Sequence, residues 1–205
     1  HYNIDTELNV CIDSDDFMPD NGVELILEKW DRSKSDDCMG IVGLDSYTNG
    51  KVIGDRLPVN IEKTTFSELL YKYKVKGDKK YVLRTDLIKS KLPYPFFEGE
   101  KFPAPSYMYL LLESQYKFLI LNEIICIVEY LPDGNSMNKI NQFKKSPNAF
   151  ASYRVAKMKY AYNFEQKFKN AIHYVSSKLL GNRKNIFKDS PAKLTTLLAF
   201  PLGIF

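Results

Sequence analysis

Three carboxylates crowd together at the end of an apolar run, in Cys11-Ile12-Asp13-Ser14-Asp15-Asp16-Phe17. Val10 to Ile12 reads as the close of a buried strand. Pro19-Asp20-Asn21 then offers a helix start, with Asp20 or Asn21 as N-cap and Glu24 in the first turn. Val23, Ile26, Leu27 and Trp30 recur at i, i+3, i+4 and i+7, the stripe of a helix lying on a sheet. That spacing makes Trp30 a core residue rather than a ligand platform. A strand, an acidic turn and a sheet-covering helix in succession place the chain in the α/β class. Like charges this close do not all stay ionised unaided. Either a hard divalent cation shared with substrate phosphates offsets them, or the turn is an acidic cap on the helix that follows.

Two other acidic motifs fit poorly. A calcium hand requires D-x-[DN]-x-[DN]-G-x₅-E. Asp13, Asp15 and Glu24 match it, but Phe17 occupies a ligand position and Met18 replaces the glycine of the sharp turn. An aspartyl-phosphate phosphatase also carries Asp-x-Asp after a strand and needs a small hydroxylated residue soon afterward. Asp16-Phe17-Met18 supplies none.

The 205 residues, 44% of them hydrophobic, suffice for one large domain or a domain with an appended helical part. Cys11, Cys38 and Cys126 are odd in number and show no paired or metal-like spacing, which fits a reducing compartment. The 2 histidines, His1 and His173, are too few and too far apart for a histidine-based zinc site. No stretch is long and apolar enough to cross a membrane, and no signal peptide opens the chain. The start at His1, just before a strand that reads as central, is expected to mark a fragment lacking an N-terminal half.

Met39 to Asp45 is the next expected strand, and Asn49-Gly50 signals a hairpin turn before Val52-Ile53. Thr65 and Glu68 form a capping box for a helix carrying Phe66, Leu69, Leu70 and Tyr73. Lys80 to Arg84 is a short strand, and Thr85 is placed to cap a short helix over 86–89. Pro93, Pro95, Pro103 and Pro105 exclude regular structure around Phe96 to Phe102. Ser106 to Ser114 reads as a buried helix. Phe118 to Leu121 and Ile124 to Tyr130 read as two strands, the second apolar enough to be central. Pro132-Asp133-Gly134-Asn135 is a turn, and helices are expected from there to the end.

Thirteen lysines and arginines stand between Lys139 and Lys193, against only Glu165 and Asp189. Aromatic residues are interleaved with them, and Leu194 to Phe205 is strongly apolar. Such a tail suits an anionic bilayer surface, or else it is the solvated face of an ordinary bundle with its apolar end docked on the core. Nucleic acid is disfavoured, because no stacking motif or groove-binding module is recognisable.

The segment from Val10 to Asp16, with Pro19 and the helix after it, resembles the Asp-x-Asp segment of family-two inverting glycosyltransferases of the GT-A fold. Gly40 to Asp45 resembles the strand that follows that motif, and Tyr81 to Leu87 the family's strand with Arg-Thr-Asp-Leu. Phe97-Glu98-Gly99-Glu100-Lys101-Phe102 resembles the acceptor-side Gly-Glu-Asp or Gly-Glu-Lys loop. Asn122 to Ser136 resembles the terminal strand and turn, above all in bacterial enzymes of capsular and surface polysaccharides. These pieces occur in the family's order and cover roughly residues 8–138.

The resemblance implies the acceptor-side part of a GT-A-like mixed sheet flanked by helices over 1–138, and a basic amphipathic helical region over 139–205. It implies Asp15 as the main metal ligand, with Asp13 and Asp16 assisting through the metal, the ribose or bound water. The cation would be Mn²⁺ or Mg²⁺, the donor a nucleotide-sugar such as a UDP-sugar, and the acceptor a saccharide or a lipid-linked one. Glu100 is the implied base and Glu98 its substitute, although Lys101 stands where the family has Asp. The half that binds the nucleotide base and ribose is missing, so the fragment alone is expected to be inactive. The expected location is cytoplasmic, peripheral at the inner membrane face. The competing expectation is a non-catalytic module, with a structural acidic turn and a tail that binds a membrane or a partner.

Overall fold

The computed structural model describes residues 3–101, 105–129, 139–181 and 185–204. The expected turn at 132–135, and with it Phe102, Arg183, Lys184 and Phe205, lies outside the described residues. The chain forms two compact units, residues 1–92 with 112–131 and residues 93–111 with 132–205. The proline-rich stretch thus groups with the C-terminal helices, and the chain passes between the units more than once.

The first unit is built on β2 (Cys38–Tyr47), of whose ten residues all but the last are buried. With β1 (Leu8–Val10), β3 (Lys63–Thr64), β4 (Lys79–Arg84) and β5 (Lys117–Val128) it makes a five-stranded mixed sheet in the order β1-β4-β2-β5-β3. β2 and β5 are parallel, and the other pairs are antiparallel. Burial of both faces of β2, and of β5 over Phe118 to Leu121 and at Ile125 and Cys126, explains their apolar runs. β1 was expected to be buried and central. It lies instead at the sheet edge and is half-buried, because its place is decided by pairing with β4, far along the chain.

α1 (Gly22–Ser33) covers one face, packing Ile26 and Trp30 against Ile41, Val82, Leu119 and Ile125. The expected stripe was too broad. Val23 and Leu27 are exposed, and the inward line runs through Gly22, Ile26 and Trp30 at steps of four. Asn21 is the N-cap by position, but its side chain makes no capping bond. The capping box at Thr65 and Glu68 forms in both directions, at 3.0 Å each way, and opens a single π-helical turn, Glu68–Lys72. Thr85 does not cap: it is the first residue of α2 (Thr85–Lys89), and its hydroxyl accepts from Asn9 Nδ2 at 3.0 Å.

The two strands expected between 118 and 130 are one. The polar pair Asn122-Glu123 sits where the β2–β5 register shifts. There the Asn122 side chain satisfies both the N–H and the C=O of Leu57, at 2.8 and 2.9 Å, so the strand continues through the irregularity.

The second unit is helical: α3 (Ser106–Leu112, at the unit boundary), α4 (Lys139–Lys145), α5 (Pro147–Lys159), α6 (Phe164–Leu180), α7 (Lys193–Ala199) and a 3-10 turn, Pro201–Gly203. Its core gathers Ala151, Met158, Ala171, Tyr174, Val175 and Ala199. The Tyr174 hydroxyl, wholly buried, donates to the Ile186 carbonyl at 2.8 Å. α5 begins with Pro at its first position, and Asn163 caps α6 by accepting from Gln166 N at 2.9 Å.

Candidate functional site

β1 is antiparallel to β4, β4 to β2, and β2 parallel to β5, so β1, β2 and β5 all point the same way. Their carboxyl ends share one edge of the sheet, the edge outside which open α/β sheets bind ligands. The acidic turn lies there. It is closed by Asp16 N donating to Asp13 O at 3.0 Å. Phe17 then exchanges two backbone bonds with Ile127 at the end of β5, at 3.0 and 2.7 Å. Residues 11–16 therefore run from edge strand β1 across the ends of β4 and β2 to reach β5.

The three aspartates divide. Asp13 and Asp15 are exposed to solvent. Asp16 turns inward, its side chain 7% exposed, and pairs with Lys80 Nζ at 3.5 Å. Cys126 Sγ lies 4.0 Å from the same Asp16 oxygen. Near this pair is Asp45, 3% exposed, whose Oδ1 has no hydrogen-bond partner among the described residues. Burial pushes its carboxyl from the ordinary 3.8 to about 7, although the charge of Lys80 works in the opposite direction. Burial alone would lower Lys80, but the charges of Asp45 and Asp16 and the contact with Cys126 outweigh it and raise its pKa. The Cys126 thiol is pushed up to about 11, chiefly by burial, which makes it an inert thiol rather than a nucleophile.

Asp45 and Lys80 were not singled out from the sequence. The legible signal was Asp45 itself, an acid ending an apolar run on a strand buried on both faces. Lys80 offered none, since its partner lies 64 positions away.

Among the described residues no group of three or more His, Cys, Asp and Glu side chains is arranged to hold a metal ion. Asp13 and Asp15 nevertheless have the right chemistry for a hard dication. Mg²⁺-like ions take one or two carboxylates and complete their shell with water and substrate phosphates. The residues fit a cation held jointly with a diphosphate, and do not amount to a metal site by themselves.

Glu98 and Glu100 belong to the second unit, and the two behave differently. Glu98 is exposed, inside the turn that Glu100 N closes by donating to Phe97 O at 3.0 Å. Glu100 is held at the start of α5: it accepts from Asn148 Nδ2 at 2.6 Å, Ala149 N at 2.8 Å and Asn148 N at 3.3 Å. Ser146, the N-cap by position, makes no capping bond, and its Oγ accepts from Lys101 N at 3.1 Å. Glu100 thus satisfies helix-end donors that Ser146 leaves open, with its negative charge at the positive end of the helix. Replacing Glu100 by Ala is expected to cost about 1–2 kcal/mol of stability in the helical unit, read from urea unfolding by far-ultraviolet circular dichroism. An unchanged midpoint would remove this capping role.

A cavity of about 570 Å³ opens at the other edge of the sheet, where Thr6, Glu7, Trp30, Lys34, Arg84 and Asp86 are among its lining residues. Its charges are largely committed. Arg84 Nη2 pairs with Asp86 Oδ2 at 2.6 Å, and Trp30 Nε1 donates to Glu7 Oε1 at 2.9 Å. The acidic turn stands at the carboxyl ends of β1, β2 and β5, and this cavity at the amino end of β1.

No family model matches the chain, and neither does any curated protein or solved structure.

Proposed function

We propose that the chain belongs to a metal-dependent, inverting glycosyltransferase that moves a sugar from a nucleotide-sugar, a UDP-sugar in the first instance, to a saccharide or lipid-linked acceptor. The observation that carries this reading is the acidic turn drawn across the carboxyl ends of the sheet, with two aspartates facing solvent and the third anchored below. In it Asp15, assisted by Asp13, would hold Mn²⁺ or Mg²⁺ together with the donor's diphosphate, and the ion would supply charge neutralisation at the leaving diphosphate. Asp16 acts through Lys80: their ion pair fixes the inner wall of the turn, so that Asp13 and Asp15 are left outward.

Inversion needs a carboxylate to take the proton of the acceptor hydroxyl as that oxygen attacks the anomeric carbon. Glu100 has the sequence position for this role, and Glu98 is the more accessible carboxylate. Among the described residues no helix is long and apolar enough to cross a membrane. A cytoplasmic enzyme acting at the inner membrane face is the setting that suits a lipid-linked acceptor.

A second reading, a non-catalytic membrane- or partner-binding module, is favoured by one observation. Glu100 is committed to capping α5, and Lys101 stands beside it. The two readings separate in the full-length protein. The first predicts UDP binding that requires Mn²⁺ and is lost in Asp15→Ala, measured by isothermal calorimetry. Equal binding by Asp15→Ala, or no binding with any nucleoside diphosphate, would favour the second.

A further inference from the structure

α7 is turned inside out. Its inward residues are Thr195, Thr196 and Ala199. The Thr196 hydroxyl lies 2.6 Å from that of Ser190 in a buried pair, and Ala199 joins the core with Tyr174 and Val175. The outward residues at i, i+3 and i+4 are Leu194, Leu197 and Leu198, which are 71%, 57% and 57% exposed. Exposed aliphatic residues continue through the 3-10 turn and the residue after it, with Leu202 at 54% and Ile204 at 57%.

Single exposed leucines are ordinary on any protein. Five aliphatic side chains within eleven residues expose on the order of 500 Å², the upper end for one patch on a soluble monomer. Burial of the helix's threonines in place of its leucines is the reverse of the usual amphipathic pattern. An outward apolar face of this kind is stable in water only at a cost, and a covering surface removes it.

Charge indicates what covers it. Residues 139–205 carry thirteen lysines and arginines against two acidic residues, whereas residues 1–138 carry sixteen against twenty-three. The positive excess is therefore confined to the region that bears the leucine face. Lys193 immediately precedes Leu194 and is exposed, as is Lys188 beside the exposed Phe187. Aliphatic side chains with a cationic rim meet both parts of a bilayer interface, the acyl chains and the anionic headgroups.

We infer that the face formed by Leu194, Leu197, Leu198, Leu202 and Ile204 docks on an anionic lipid bilayer, with Lys188 and Lys193 among the headgroups. The contact is made by α7 and the 3-10 turn after it, and the lysines and arginines of α5 and α6 supply long-range attraction only. It does not depend on glycosyl transfer.

The test is co-sedimentation of the full-length protein with phosphatidylcholine vesicles, with and without phosphatidylglycerol, at low and high salt. The parent is expected to bind the anionic vesicles and to lose much of that binding at high salt. Leu197→Ser/Leu198→Ser is expected to bind at least about tenfold more weakly, as two leucine side chains are withdrawn from hydrocarbon. Its circular dichroism and unfolding midpoint should be unchanged, because both side chains are exposed. Lys188→Gln/Lys193→Gln should reduce binding to anionic vesicles and leave the weaker binding to neutral ones unaltered. Equal sedimentation of parent and leucine variant overturns the inference. So does a concentration-dependent dimer that the leucine variant abolishes while vesicle binding stays the same, which would assign the face to a second copy of the chain.

Discussion

Asp45→Asn is expected to make the sheet unit more stable at pH 8 and to change how that stability depends on pH. Folded Asp45 keeps its proton to about pH 7, whereas in the unfolded chain it loses it near 3.8. The folded state therefore binds more protons across that interval, and stability from this group falls as pH rises. It is fully present below pH 4 and lost as pH passes through about 7. The shift corresponds to roughly 4 kcal/mol at the upper end. Asn removes the ionisation but buries an amide, which costs about 1–3 kcal/mol when not fully bonded. The net gain at pH 8 is about 1–3 kcal/mol, and below pH 4 the variant should be no more stable than the parent. Trp30, the single tryptophan, is 3% exposed in the core of this unit, so its fluorescence in urea reports the unit selectively. The informative quantity is the difference between variant and parent at each pH, since other carboxylates titrate in both. A flat difference from pH 4 to 8 would mean that Asp45 is not buried as described.

Gly40→Ala should produce the largest loss. Gly40 sits in β2 at φ 145°, and a Cβ there would collide with the Val82 carbonyl oxygen of β4. β5 pairs on the other side, at Phe118, so the strand has no direction in which to move away. Backbone strain and overpacking together are expected to cost about 3–5 kcal/mol, again read through Trp30. Gly50→Ala is the control. Its φ is 79° with nothing within 4 Å of the added carbon, so only conformational strain of about 1–2 kcal/mol applies. Equal losses at the two positions would contradict the close approach of β4 to β2.

What could be read in the sequence was local. The strand over 39–45, the Asn49-Gly50 turn and the Thr65–Glu68 capping box each depend on residues a few positions apart, and all three form. The turn has Gly50 N donating to Tyr47 O at 2.9 Å and Tyr47 N to Lys51 O at 2.9 Å. The departures are non-local. The edge position of β1 follows from its pairing with Leu83 and its neighbours, more than 70 residues away. Glu100 meets the start of α5 across 48 residues, and Asp16 meets Lys80 across 64. Within the acidic motif, the sequence shows that three carboxylates are adjacent. It does not show that Lys80 draws one of them inward. The leucine face of α7 was read only as an apolar end, because periodicity locates a stripe without saying which side of the helix packs.

Asp13 and Asp15 are proposed to hold a divalent cation only together with a diphosphate. Electron paramagnetic resonance of free Mn²⁺ tests it directly, by titrating the full-length protein into Mn²⁺ with and without UDP. Little loss of the free-ion signal is expected with protein alone, and strong loss when UDP is added. In Asp15→Ala only the loss due to UDP itself should remain. Tight Mn²⁺ binding without UDP, or the same ternary binding in Asp15→Ala, would contradict it.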